Sequence, residues 1–255
     1  MTTDTSAPIL RMRGIEMAFG GVQALRGVDL DVTQGERLGV LGPNGAGKTT
    51  LFNIVAGDFA PSAGSVEIHD QEVSTAPARI RPSLGVARTY QKTRLFPGLS
   101  VADNLFVAVI GKKGGHLRMV NRSEDALFRE RAAGAARSVW LHDEMATVVA
   151  DLSHGEQRQL EVGMALATDP TLLMLDEPAS GLSRGERERL VELLQSFRAD
   201  VTLILIEHDM EVALNVVERV VVMHDGLIVA EGTPDEIRQN QLVHDIYLGK
   251  AGGNA

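Results

Sequence analysis

The chain has 255 residues, a formal net charge of −9, 44% hydrophobic and 23% charged residues. That length suits one large domain, or one domain carrying a smaller lobe, and the apolar fraction suits a soluble protein with a sizeable core. The acidic balance argues against general nucleic-acid binding, which needs clustered Lys and Arg against phosphate, and the absence of cysteine excludes disulfides and thiolate metal sites.

The opening stretch MTTDTSAP has neither a basic nor an apolar segment, so no signal peptide is expected. No window approaches the roughly 18 apolar residues of a spanning helix, so a membrane role would come through partners. ILRMRGIEMAFGG (9–21) and ALRGVDLDVTQGE (24–36) alternate apolar and polar residues and end in Gly-rich turns, the pattern of strands. RLGVLG (37–42) reads as a short buried strand, GKTTLFNIVAG (47–57) as a helix stopping at Gly57, and GSVEIHDQEV (64–73) as an exposed strand and turn. From about Ser100 to Thr147 the pattern turns helical: 100–110, 123–140 and 141–149 all read as helix, with a Gly-rich basic loop joining the first two. After Asp151 apolar strands return between helices, ending in RVVVMHDG, LIVAEG and a closing helix. Such strands imply a largely parallel sheet covered on both faces. The expected organisation is a single α/β domain over 8–250: core lobes 8–91 and 152–232, a helical lobe 92–151 and a helical tail 233–250.

GPNGAGKTT, comprising Gly42, Pro43, Asn44, Gly45, Ala46, Gly47, Lys48, Thr49 and Thr50, satisfies G-x-x-x-x-G-K-[ST]. It follows a predicted strand and opens a predicted helix, the context that confirms a phosphate-binding loop. Glycines let backbone N–H groups face phosphate oxygens, and the helix start adds its positive dipole end. Lys48 can reach the β- and γ-phosphates, and the Thr49 hydroxyl can ligand Mg²⁺. In TLLMLDEP, four apolar residues precede Asp176, which places its carboxylate at the C-terminal end of a buried strand, where α/β sheets bind ligands. Asp176 suits Mg²⁺, and Glu177 suits a base that positions water for attack on the γ-phosphate. LILIEHDM repeats the arrangement and ends in His208. His208 is either a solvated structural residue or a hydrogen-bond partner of the γ-phosphate or the attacking water.

DLSHGEQ places Ser153, His154 and Glu156 close together. A serine nucleophile is disfavoured, because the strand–turn–helix elbow requires G-x-S-x-G. Ser153 with Glu156 three residues on forms a capping box before an amphipathic run. A further reading keeps the helix start and adds an anion: the Ser153 hydroxyl and the N–H groups from Gly155 onward would meet the γ-phosphate on a second chain's loop.

The order of phosphate loop, helical lobe, L-S-x-G-E-Q, hydrophobic-LDEP and IEHD resembles the ATP-binding cassette ATPase family over about Leu10 to Leu248. The resemblance implies a P-loop NTPase fold: a mixed sheet flanked by helices, an N-terminal antiparallel β subdomain and an inserted α-helical subdomain. It implies ATP and Mg²⁺ as ligands, and Ser153, His154, Gly155, Glu156 and Gln157 as the phosphate site offered to a second cassette. Phe19 would lie under adenine, although a core position is its other reading. Gln91 would stand between the sheet and the helical lobe, near Mg²⁺ with Thr49 and Asp176 and in catalysis with Glu177 and His208. One departure is Ser183, where the family usually has an aspartate that crosses the dimer interface.

ART-Q…RLFPGLSV-DNL, LSHGEQRQLE, IEHDM and GTPDEI…YLG are most similar to ATPase subunits of high-affinity branched-chain amino-acid importers. Lipopolysaccharide-export ATPases share much of the pattern and are the competing reading; a soluble non-transport cassette is a further one. The importer branch implies permease subunits, a second identical or different ATPase chain, indirectly a solute-binding protein, no nucleic acid, and a cytoplasmic place on the inner face of the membrane. Leu95 and Phe96 either pack within the helical lobe or line a groove for a short helix of a membrane subunit.

Overall fold

The computed structural model describes residues 8–90, 94–111 and 122–248. The alternating opening segments form β1 (Pro8–Phe19) and β2 (Val22–Thr33), paired antiparallel across a Gly20-Gly21 turn. β4 (Ala63–Ile68) pairs with the other edge of β1, and β5 (Gln71–Glu72) completes an antiparallel sheet in the order β2-β1-β4-β5.

The second sheet is built from β3 (Arg37–Leu41), β6 (Val86–Arg88), β7 (Leu172–Asp176), β8 (Thr202–Ile206), β9 (Arg219–His224) and β10 (Leu227–Gly232). Their order is β10-β9-β3-β8-β7-β6; all neighbours are parallel except the β9–β10 hairpin. The pleat sends successive side chains to opposite faces, and both faces are covered. Leu172, Met174, Ile204, Ile206, Val221 and Met223 pack toward α1 (Lys48–Ala56) and the antiparallel sheet. Leu173, Leu175, Leu203, Leu205, Val220 and Val222 pack on the other side with α4 (His154–Leu166), α5 (Arg184–Gln195) and α6 (Met210–Val216). The short α7 (Pro234–Gln239) and α8 (Gln241–Tyr247) close the chain and add Ile237 and Val243 to this core.

The inserted lobe holds α2 (Val101–Gly111) and α3 (Arg122–Ser138). Val101, Leu105, Ala136 and Val139 share a continuous core with Leu160 of α4 and the sheet leucines. The approach is close: a Cβ on Gly163 would lie 2.8 Å from Val139 Cγ2 and 3.3 Å from Leu105 Cδ2. The third expected helix, over 141–149, is absent; the segment is a run of turns ending in a short 3₁₀ turn at Val149–Asp151. Its carbonyls serve another element instead. Thr147 O and Met145 O accept the N–H groups of Val101 and Ala102 at 3.0 Å each, satisfying donors that the start of α2 leaves open. The Gly-rich basic loop lies mainly outside the described residues. Among the described residues, no helix is long and apolar enough to cross a membrane.

Candidate functional site

The phosphate loop leaves β3 at Gly42 and enters α1 at Lys48. Two of its glycines are required by close approach as well as by backbone angle. Gly42 has φ 147°, and a Cβ there would lie 2.2 Å from Met223 O; Gly47 has φ 102°, and a Cβ would lie 2.6 Å from Ala24 O. The loop is thus pressed between β2 and β9, and bulk at either glycine would lift it. Ala46 is buried beneath it, Pro43 and Thr50 are half-buried, and Asn44, Gly45 and Thr49 are exposed. Lys48 is buried, and its Nζ donates to Gly42 O (2.7 Å) and Pro43 O (3.0 Å). Burial lowers its pKa, while the nearby carboxylates of Glu177 and Asp176 act in the opposite sense.

Asp176 ends β7 and is buried, and its Oδ1 has no hydrogen-bond partner among the described residues. Burial, then the charge of Glu177, raises its pKa. A buried carboxylate oxygen with no partner facing a lysine-bearing phosphate loop fits a divalent cation on a phosphate chain. Glu177 has φ 47°, a left-handed conformation uncommon for a residue with a side chain and concentrated at functional sites. Its N–H donates to Ile206 O at 2.9 Å, and its Oε2 lies 3.7 Å from His208 Nδ1. The β3-β8-β7 order therefore brings Lys48, His208 and the Asp176–Glu177 pair to one edge of the sheet.

Phe19 is 44% exposed, so the core alternative fails; its ring meets Phe59 edge-on at 5.6 Å. Gln91 lies outside the described residues. Ser153 caps α4: its Oγ accepts from Glu156 N at 3.2 Å, and Glu156 Oε2 accepts from Ser153 N at 2.8 Å. Gln157 Nε2 donates to Leu152 O at 3.1 Å. Gly155 does not present a free N–H within the single chain, because it donates to Glu186 Oε1 at 3.0 Å. Glu186 also closes the capping box on Ser183 at the start of α5, accepting from Ser183 N at 2.8 Å. Ser183 thus has a structural task of its own. The groove residues divide: Leu95 packs partly against the core, whereas Phe96 is exposed.

Residues 25–180 match the ABC transporter family, more than half of the chain, and residues 228–252 match a branched-chain amino acid ATP-binding cassette transporter family. The chain belongs to the ABC transporter family, as an ATP-binding cassette. It is 38% identical to the high-affinity branched-chain amino acid transport ATP-binding protein BraF of Pseudomonas aeruginosa, an alignment covering 96% of this chain and 100% of that one. It is 37% identical to LivG of Escherichia coli, described in the same words, over 96% and 100%. Among solved structures, it resembles a nucleotide-free ATP-binding cassette from an ABC transporter with TM-score 0.82 at 26% identity, covering 94% of this chain and 99% of that one. The ADP conformation of the cassette MJ1267 matches with TM-score 0.83 at 25% identity, over 96% and 100%.

Three further side chains, besides Glu186, contribute to the cassette's site from outside the expected residues. Glu207 is fully buried, accepts from Ala179 N (2.8 Å) and His208 N (3.2 Å), and sits 3.8 Å from His208 Nδ1; burial pushes its carboxyl pKa up. Its signal was an acid ending an apolar strand. Tyr247, 205 residues from the loop, accepts the Gly42 N–H on its hydroxyl at 3.0 Å, and nothing local in the sequence announces that contact. Arg158 reaches from α4 to the backbone of Asp176, Glu177 and Pro178. Glu207→Ala strands the Ala179 and His208 N–H groups, so chemical denaturation should show a loss of about 1–3 kcal/mol. An unchanged midpoint and slope would mean that these two bonds contribute nothing net.

Proposed function

We propose that this cassette is the ATP-hydrolysing subunit of a membrane importer for branched-chain or related amino acids, working by ATP-driven closure of two cassettes. The convergence of Lys48, Asp176, Glu177 and His208 at one sheet edge carries the chemistry. The substrate class rests on the C-terminal match and on the names of the relatives.

In this reading the exposed ring of Phe19 stacks on adenine, since every base presents a π-face. N–H groups of the loop between Asn44 and Thr50 receive the phosphates, and Lys48 exchanges its two carbonyl acceptors for phosphate oxygens. Thr49 and Asp176, with Gln91, would hold Mg²⁺, which neutralises charge on the phosphate oxygens. Glu177 orients water and accepts its proton, and His208 steadies the water or the γ-phosphate. Ser153, His154, Gly155, Glu156 and Gln157 of one cassette face the γ-phosphate held on the other. Gly155 N–H then trades the Glu186 carboxylate for phosphate.

Transport requires that closure move a membrane subunit. A cavity of about 290 Å³ between the sheet and the helical lobe is lined by Arg81, Arg88, Tyr90, Arg94, Leu95 and Met164. It is a fitting receptor for a short permease helix with an apolar face. The partners are permease subunits, a second cassette and, indirectly, a solute-binding protein, which places the chain on the inner face of the membrane.

Lys48→Ala should abolish ATP binding in a fluorescent-nucleotide titration; unaltered affinity would remove the phosphate loop from the reading. Ser153→Ala should leave ATP affinity of the single chain nearly intact while impairing ATP-dependent pairing, measured by analytical ultracentrifugation in a hydrolysis-deficient background. A loss confined to thermal stability, on the order of 1 kcal/mol for a lost cap, would leave Ser153 with capping alone. Glu177→Gln should bind ATP, pair persistently and retain permeases when membranes are solubilised with ATP. Recovery of permeases whose vesicles take up leucine supports the importer, and a paired cassette free of membrane subunits ends the transport reading.

A further inference from the structure

Arg158 stands one turn beyond Ser153 on α4, with its side chain 11% exposed. A guanidinium carries five N–H donors in a planar fork, and all five are accounted for. Nε donates to Pro178 O (2.9 Å), and Nη2 donates to Asp176 O (3.0 Å) and Glu177 O (2.9 Å). Nη1 donates to Glu161 Oε2 and, at 3.4 Å, to Tyr90 O. Three consecutive carbonyls can converge on one side chain because the backbone turns left-handed at Glu177. Glu161, one turn further along α4 and itself buried, balances the charge, so the guanidinium is paired while its other donors hold backbone.

Tyr90 and the turn bearing Glu177 follow the paired strands β6 and β7, and these contacts tie both to the helix begun by Ser153, which lies outside the sheet. The same arginine and glutamate line a cavity of about 300 Å³ together with His154, Gln157, Glu177 and Ser180. A turn of α4 relative to the sheet would therefore pull on the peptide units either side of Glu177. Displacing a base by a fraction of a hydrogen-bond length is enough to impair proton transfer.

We propose that Arg158 is a positioning residue: it fixes the backbone around Glu177 to the helix that begins at Ser153, so that the carboxylate is aligned only when that helix is correctly seated. The inference rests on the reading of Glu177 as base, and Arg158 acts through Glu177 without touching nucleotide. Charge is not what the role requires. A lysine would keep the positive charge beside Glu161 but has three donors at one point and cannot span five acceptors.

The test uses the purified full-length chain and compares steady-state ATP hydrolysis of Arg158→Lys, Glu161→Gln and Glu177→Gln with the parent. Arg158→Lys should lose about tenfold or more in kcat, the scale of a misplaced catalytic group, with KM and ATP affinity within about twofold. Glu161→Gln keeps an acceptor oxygen for Arg158 and should stay within about twofold of the parent in kcat. Amide exchange should also quicken across 176–180 in Arg158→Lys while α1 keeps its protection. Full activity in Arg158→Lys overturns the proposal, as does a parallel loss of kcat and ATP affinity with general loss of protection, which is destabilisation only. Should Arg158→Lys not fold, Glu161→Gln decides: a kcat loss there as deep as in Glu177→Gln assigns the effect to the charge pair and overturns the backbone role, and near-parental kcat supports it. Glu177→Gln separates the two levels. If it turns over at the parental rate, the base reading fails and the proposal with it; if it is slow while Arg158→Lys is unimpaired, only the proposal fails.

Discussion

The parallel pairing of β3, β8 and β7 is the constraint from which the site follows. Parallel neighbours end on the same edge, so a loop leaving β3 and acids leaving β7 and β8 must meet there, whatever their separation in the chain. The alternation along each strand gives each face of the sheet its own core, one with α1 beneath the antiparallel sheet and one with the helical lobe. Polar groups are therefore confined to the strand ends. Asp176 and Glu207 are the buried acids produced by that arrangement, one with an oxygen unpartnered and the other fully engaged by backbone N–H groups. Similar strand-end positions thus give different surroundings: Asp176 keeps an oxygen without a partner among the described residues, and Glu207 builds the turn that carries His208.

What was legible in the sequence were features whose cause is local. The glycines of GPNGAGKTT, the apolar run before Asp176 and the S-x-x-E of Ser153 and Glu156 each state their geometry within a few residues, and all stand as read. The fold class was legible for the same reason, since strand alternation and helix spacing are short-range patterns. The segment 141–149 was misread because its composition allows a helix, whereas its carbonyls are committed to the start of α2. That competition is tertiary and leaves no periodic trace. Tyr247 on Gly42, Glu186 on Gly155 and Arg158 on three carbonyls were illegible likewise: each joins side chain to backbone, and a backbone N–H or carbonyl has no residue type by which to be recognised.

Glu186 changes the physical meaning of the Ser153 helix start. In a single chain the donors there are already matched: Gly155 N–H by Glu186, and Glu156 N–H by Ser153. Capping and phosphate binding draw on the same few N–H groups, so they are competing states of one helix end and both cannot be complete at once. In the proposed pairing, an incoming phosphate would therefore gain only the difference between its own interaction and that of the Glu186 carboxylate it displaces. Such a site is weak on its own and is strengthened only when the phosphate is already fixed on another chain. Ser183 belongs to this balance, because it holds the other oxygen of Glu186 at the start of α5. An aspartate there would retain a capping side chain but place a second negative charge beside that carboxylate, loosening its hold on Gly155. In that proposed pairing the serine would favour the matched single-chain state, acting through Glu186 without having to cross the interface itself.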